Sequence, residues 1–221
     1  MNKALLIGAS GGIGQAMSAA LTARGVEVTG LSRRANGLDV TDETSVEAAL
    51  APLAGPYDLI FVATGALEIA GAAPEKSIRQ VTASAMADQF ALNCIGPSLV
   101  LKHSLHLLPK DRRAVFAALS ARVGSIGDNR LGGWYAYRTA KAALNQMIHS
   151  SAIELARSHK QAICVALHPG TVATDFTAKY VGRHPAVAPE EAAQNLLNVI
   201  GDLTPDDSGQ FFDWQGKSVP W

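Results

Sequence analysis

Three segments of strand length are apolar almost throughout: Asp58–Ala63 (DLIFVA), Ala114–Leu119 (AVFAAL) and Ala162–Leu167 (AICVAL). A strand with one wet face alternates apolar and polar residues. An unbroken run belongs to a strand covered on both faces, as in a parallel sheet between two helical layers. The rest of the chain alternates in the same manner. Ala4–Ile7 is a further apolar run, Val26–Leu31 reads as a second strand, Leu38–Val40 as a brief third, and Gln210–Trp214 as a last one. Helical spacing covers Ile13–Ala23, stopping at Arg24-Gly25, then about Ser84–Leu108, about Trp134–Arg157, and Pro189–Ile200 with its proline near the first turn. Thr41-Asp42-Glu43 places a hydroxyl and two acids where a helix N-terminus uses them. Strands alternating with helices predict a doubly wound α/β fold with about seven strands.

The 221 residues suit one domain, 1–221, with no linker, repeat or low-complexity tract. Apolar residues at 48% against 17% charged allow a large core and exclude disorder. Lys plus Arg and Asp plus Glu are both 19, which excludes binding to nucleic acid or an acidic membrane through bulk charge. Cys94 and Cys164 have no metal-ligand or CxxC spacing, sit in apolar segments, and read as buried thiols. His103, His106, His149, His159, His168 and His184 show no metal spacing either, so no metal site is expected. The first residues run straight into an apolar strand rather than a secretory signal, and no run is long enough to span a bilayer; the expected compartment is the cytoplasm. Thr171–Ala188 lacks periodicity and carries glycine, prolines and isolated aromatics, which suits a substrate lid at about 171–188 or a plain surface connection.

Gly8-Ala9-Ser10-Gly11-Gly12-Ile13-Gly14 joins the first strand to the first helix. Glycines there let the backbone turn tightly and approach a pyrophosphate, and the helix N-terminus supplies N–H groups. A purely structural turn would need none of that context. The second strand ends Leu31-Ser32-Arg33-Arg34, where NAD enzymes place an acid; no acid occurs before Asp39. A hydroxyl and two guanidinium groups suit a ribose 2′-phosphate, so NADP is favoured over NAD unless both arginines merely face solvent. Tyr137 and Lys141 lie four residues apart, about 400° of helix, and so share one face. A neighbouring ammonium favours phenolate, which would make Tyr137 a general acid towards a carbonyl oxygen and a base in reverse; an ordinary amphipathic pair is the plain alternative.

Taken in order, GxxxGxG at Gly8–Gly14, Asp39-Val40, Asn93, YxxxK at Tyr137–Lys141 and Pro169-Gly170-Thr171 resemble the short-chain dehydrogenase/reductase family across essentially the whole chain. LSARVGSIGDN followed by GGWYAYRTAKAALN is similar to its C-factor-like, carbonyl reductase-like branch. The resemblance implies a Rossmann domain and hydride transfer between nicotinamide C4 and a carbonyl or alcohol carbon. It further implies that Lys141 holds the nicotinamide ribose while Tyr137 moves the proton. Gly8, Ser10, Gly12, Ile13, Gly14, Ser32, Arg33, Asp39, Val40, Ala63, Thr64, Gly65, Tyr137, Lys141, Pro169, Gly170 and Thr171 are the expected cofactor contacts.

Asn93 supports the resemblance from its own chemistry. The residue four places on is Pro97, which has no N–H, so the Asn93 carbonyl is left free to hold a water beside Lys141 and the helix should bend. A bend made only for packing is the alternative. Two positions depart from the family. Its NNAG is Val62-Ala63-Thr64-Gly65 here, and its second serine of SSxxG is Ala121. Ser120, one residue earlier, is taken as the catalytic hydroxyl, with Ser125 in the loop as the other candidate. Trp134 and Tyr135 could line the substrate pocket or pack at a helix start. Small residues at Ala136, Ala140, Ala142 and Ala143 are compatible with the family's helix-paired homodimer or homotetramer. The expected function is NADPH-dependent reduction of a small aldehyde or ketone. The alternatives are an NADP-binding regulatory or signalling protein with little turnover, and a related lyase or epimerase.

Overall fold

In a computed structural model describing residues 1–174, 177 and 186–221, the apolar runs become the centre of one parallel sheet. Its strands are β1 (Lys3–Ile7), β2 (Glu27–Leu31), β3 (Leu59–Val62), β4 (Ala114–Leu119), β5 (Ala162–His168) and β6 (Phe211–Asp213), in the order β2-β1-β3-β4-β5-β6. The helices are α1 (Gly12–Ala23), α2 (Arg33–Asn36), α3 (Glu43–Leu50), α4 (Ala83–Phe90), α5 (Gly96–Ser104), α6 (Tyr135–Leu155) and α7 (Pro189–Asp202). Every residue of β3 and β4 is buried, as their lack of alternation requires. Leu5 and Ile7 of β1 join one core with Val46 of α3, Val100 of α5, and Leu144 and Ile148 of α6. Ala4 and Leu6 turn to the other core, with Met17 and Leu21 of α1 and Leu196 and Ile200 of α7. This is the doubly wound, Rossmann-type domain that strand–helix alternation predicts.

The brief strand expected at Leu38–Val40 does not form, and among the described residues the sheet has six strands. Leu38 and Val40 are buried as their apolar character predicts. The backbone between them is engaged by side chains instead: Asp39 N donates to Ser45 Oγ at 3.0 Å, and Thr41 N donates to Asp39 Oδ1 at 2.9 Å. Such local hydrogen bonds compete directly with a ladder. The long helix expected over about Ser84–Leu108 is broken into α4 and α5 by a π-helical turn, Ala91–Ile95, with a 3₁₀ turn at Leu105–Leu107. Pro97 cannot donate to Asn93, so the regular ladder fails there and the wider turn fills the gap. The lid expected at about 171–188 falls largely outside the described residues. Its two stems are described and run side by side: Val187 N donates to Thr171 O at 3.0 Å, and Ala173 N to Val187 O at 2.9 Å. Among the described residues no helix is long and apolar enough to cross a membrane.

The strand order reverses about β1, which has β2 on one side and β3 on the other, and a parallel sheet leaves its ligand crevice at the C-terminal ends of such strands. Gly14 controls that crevice, since a Cβ placed on it would lie 2.2 Å from Gly8 O. Gly14→Ala should therefore destabilise the fold by about 1–3 kcal/mol or more, the usual range for overpacking, read from denaturant midpoints. An unchanged midpoint would show that the turn can widen.

Candidate functional site

The turn after β1 is shaped to bring backbones together. Gly8 adopts φ 86°, and a Cβ there would stand 2.9 Å from the Ala63 carbonyl carbon and oxygen at the end of β3. Gly11 precedes α1 without any side-chain cap, so the first N–H groups of the helix are not satisfied by a side chain. Gly11 and Gly12 are exposed, Ile13 packs against the α1 core, and Ser10 O accepts from Gln15 Nε2 at 2.8 Å. Open N–H groups and a helix dipole fit the pyrophosphate of a dinucleotide.

At the end of β2, Ser32 caps α2, its hydroxyl accepting from Ala35 N at 3.1 Å. Arg33 and Arg34 follow, both exposed, and neither forms an ion pair among the described residues. The Thr41 hydroxyl and amide hold the Asp39 carboxyl below its usual range, and the Arg33 charge adds a smaller pull. Val40 packs against Gly96, where a Cβ would meet its Cγ2 at 2.9 Å.

The ends of β3 and β4 converge with the central helices. Gly65, at φ 147°, has Asn93 Oδ1 2.7 Å and Lys141 Nζ 3.5 Å from where its Cβ would be. Asn93 is fully buried; its Nδ2 donates to Ala66 O at 2.9 Å and to Gln89 Oε1 at 2.6 Å, while its Oδ1 accepts from Ala66 N. Gln89 Nε2 in turn donates to Leu67 O at 2.9 Å. The Asn93 side chain is thus a splint for the loop after β3. Thr64 is half-buried, and its hydroxyl oxygen is sealed from solvent without a hydrogen-bond partner.

Tyr137 and Lys141 lie one turn apart on α6 as their spacing predicts, with Nζ 5.8 Å from the phenol ring centroid. Lys141 Nζ donates to Leu119 O at 2.9 Å and is 2% exposed. The sequence expectation that the ammonium lowers the tyrosine pKa is corrected here. Burial lifts the Tyr137 phenol above its ordinary value and pulls Lys141 down to about 7, with Cys94 partly opposing the latter. The pair therefore keeps its proton on the phenol, which suits an acid.

Both candidate serines are engaged by other groups. Ser120 Oγ donates to Asn145 Oδ1 at 2.6 Å, two turns along α6 from Tyr137, and Ser125 Oγ donates to Pro220 O. The Ser120 side chain faces α6, the helix that carries Tyr137 and Lys141, and Asn145 holds its hydroxyl there. Ala136 and Ala140 are buried inside the chain, so the four alanines do not form one outward stripe.

A family model described as enoyl-(acyl carrier protein) reductase matches residues 8–212. 1-Hydroxy-2-glutathionyl-2-methyl-3-butene dehydrogenase of Rhodococcus sp. (strain AD45) is 33% identical over 238 aligned residues, covering 100% of both chains. The chain belongs to the short-chain dehydrogenase/reductase family. It is accordingly an NAD(P)-dependent oxidoreductase. C-signal of Myxococcus xanthus is 38% identical over 136 residues, 62% of this chain and 78% of that one. The structure of NADPH-bound carbonyl reductase from chicken fatty liver shares the fold with a TM-score of 0.85 at 24% identity, covering 100% of this chain and 94% of that one.

Within this short-chain dehydrogenase/reductase, four residues at the site escape a reading of motifs. Thr174 leans its methyl on the glycine turn, where a Cβ on Gly12 would lie 2.7 Å away. Glu75, buried, reaches the start of α6 from a distant loop, its Oε2 accepting from Ala136 N at 3.2 Å. No local signal announces either contact. Gln89 and Asn145 were accessible, because each is a polar residue four places from a motif residue on the same helix face. Pro169-Gly170-Thr171 leaves β5 with Gly170 at φ 78°, its Cβ position 3.0 Å from Trp214 Cδ1. Both cysteines are buried and free, and among the described residues no three His, Cys, Asp or Glu side chains gather as a metal set.

The lowered Lys141 pKa has a consequence for stability. The folded lysine holds its proton less tightly than the unfolded one, so unfolding takes up a proton between about pH 7 and the ordinary lysine value of 10.5. The penalty is full below pH 7 and fades as pH rises to 10.5. Lys141→Met should raise the melting temperature of the cofactor-free protein most at pH 6 and least at pH 10. A difference that grows with pH would contradict a desolvated lysine.

Proposed function

We propose that this enzyme reduces a small aldehyde or ketone with NADPH. The observation that carries the reading is a buried tyrosine one turn from a buried lysine, with Gly65 and Asn93 closing around that lysine. A bound NADPH supplies the hydride. Tyr137 Oη gives its proton to the carbonyl oxygen, and Lys141, poised near neutrality, can return one to the phenol. The exposed Arg33 and Arg34 after Ser32 would take the 2′-phosphate, and the uncapped start of α1 the pyrophosphate. The chicken carbonyl reductase of the same fold holds NADPH, in keeping with this choice. We expect the family's pairing of subunits into a homodimer or homotetramer.

One observation favours a second reading. No serine hydroxyl occupies position 121, so the substrate oxygen depends chiefly on Tyr137, and an NADP-binding regulator with little turnover is the alternative, in line with the similarity to C-signal. NADPH oxidation against a panel of carbonyl compounds separates the two. Tyr137→Phe should lower the rate by about 10²–10⁴-fold and leave NADPH binding close to wild type. Cofactor bound but consumed with no carbonyl would select the regulator.

Cofactor choice has its own test. Arg33→Asp should reduce the preference for NADPH over NADH by about tenfold or more, since it exchanges a charge-assisted donor for an acceptor suited to a free hydroxyl. Equal NADPH affinity in both proteins, read by fluorescence titration, would pass the role to Arg34.

A further inference from the structure

Helix α6 begins without a side-chain cap of its own. Trp134, the residue before it, has φ 52°, left-handed backbone space that Gly132 and Gly133, at 62° and 67°, take freely and that strains a residue with a Cβ. The first rung of the helix is Arg138 N donating to Trp134 O at 2.9 Å, so the N–H groups of Trp134, Tyr135, Ala136 and Tyr137 lie ahead of the ladder. Glu75, from the loop after β3, takes two of them. Its carbonyl accepts from Trp134 N at 2.6 Å, and its Oε2 accepts from Ala136 N at 3.2 Å. Ala136 is the second residue of α6, a position whose N–H a capping side chain ordinarily takes. An acidic side chain there also meets the positive end of the helix dipole. Glu75 does for α6 what no residue at its own start does.

The loop that carries Glu75 is fastened at both ends. Near its start, Asn93 bonds both backbone groups of Ala66, and Gln89 holds Leu67 O. Ala70 and Gly71, at φ 50° and 80°, turn the chain, and Ala72 N donates to Ile69 O at 2.9 Å across that turn. The far end is Glu75 itself, 6% exposed. Glu75, Gln89 and Tyr137 border one cavity of about 10 Å³, room for a single water and not for a substrate. Glu75 therefore acts on the helix rather than on the reactant. Tyr137 is the third residue of α6 and belongs to the turn that Glu75 closes. Its phenol must meet a carbonyl oxygen at hydrogen-bond distance, and a misplacement of about 1 Å can cost about 10²-fold in rate. Resting on the reading of Tyr137 as proton donor, we infer that Glu75 is a positioning residue: it caps α6 from outside the helix and so fixes the turn that presents the phenol to the substrate.

Three variants of the NADPH-loaded enzyme test this. Glu75→Asp keeps the acid and draws its oxygens back by one methylene, Glu75→Gln drops the acid and keeps an oxygen in reach of Ala136 N, and Glu75→Ala removes both. With benzaldehyde, Glu75→Asp and Glu75→Ala should lower kcat by about tenfold or more while KM and NADPH affinity stay within about threefold of wild type, and Glu75→Gln should keep kcat within about threefold. An unchanged kcat in Glu75→Asp, a Glu75→Gln as slow as Glu75→Ala, or NADPH affinity lost in step with kcat each overturns the inference. Should Glu75→Ala fail to fold, the Asp and Gln variants decide alone. A second measurement needs no turnover: the Ala136 amide hydrogen, followed by NMR, should exchange about tenfold or more faster in Glu75→Asp than in wild type and at the wild-type rate in Glu75→Gln. If wild type reduces no carbonyl compound, the reading of Tyr137 fails by itself. The exchange rate then still decides whether Glu75 holds the turn, an unchanged rate in Glu75→Asp showing that it does not.

Discussion

An ammonium group buried in a protein must be surrounded on purpose, and the interior of this enzyme is arranged around that of Lys141. Its hydrogen-bond partner among the described residues is a backbone carbonyl, Leu119 O, available because β4 ends there and its ladder gives out. For Nζ to arrive, α6 must lie close against the sheet end. Gly124 permits this: a Cβ on it would strike Lys141 Cβ at 2.7 Å and the Lys141 carbonyl carbon at 2.9 Å. Gly65 leaves space on the opposite side, and Asn93 secures the loop that carries Gly65. Desolvation that would be a fault in a structural lysine lowers its proton affinity towards neutrality, where a proton can be exchanged.

Much of the fold was legible because burial on both faces leaves a strong mark on composition. β3, β4 and β5 lie within or nearly within the apolar runs, and α1, α6 and α7 begin within two residues of their expected starts. The errors have a common source in side chains that compete with the backbone. Ser45 and Thr41 draw Leu38–Val40 away from strand pairing, and Pro97 divides what periodicity alone joins. The site shows the same division. Gly8, Gly14, Asn93, Tyr137 and Lys141 follow from motif spacing, since each depends on its local element. The left-handed Trp134 does not, because Glu75, 59 positions earlier by the numbering, holds it. The orientation of Ser120 was hidden for a related reason. Its nearness in sequence to the expected hydroxyl is real, but Asn145 decides where the hydroxyl points.

The β4–α6 connection is held from several directions at once. Arg138 ties it from within α6, Glu75 from the loop after β3, and the final residues from the far end, where Gly127 N donates to Trp221 O at 2.7 Å. Trp221 is itself seated by stacking on Phe211 at 6.2 Å and by an edge contact with His149. A connection so constrained can keep an unfavourable residue conformation that an isolated loop would lose.

The π-helical turn at Ala91–Ile95 acts on the chain as an inserted link does on a screw. One extra residue in a turn rotates everything beyond it by about 100° relative to an uninterrupted helix. Before the turn, Gln89 faces Asn93 and the loop after β3; beyond it, Gly96 meets Val40, and Val100 and Leu101 enter the sheet core. These two orientations could not share a regular helix with the same sequence. Length in this segment is therefore a quantity under constraint in its own right: deleting a single residue between Asp88 and Gly96 would rephase α5 and separate the cofactor-side contacts from the core, even if every remaining side chain were unchanged.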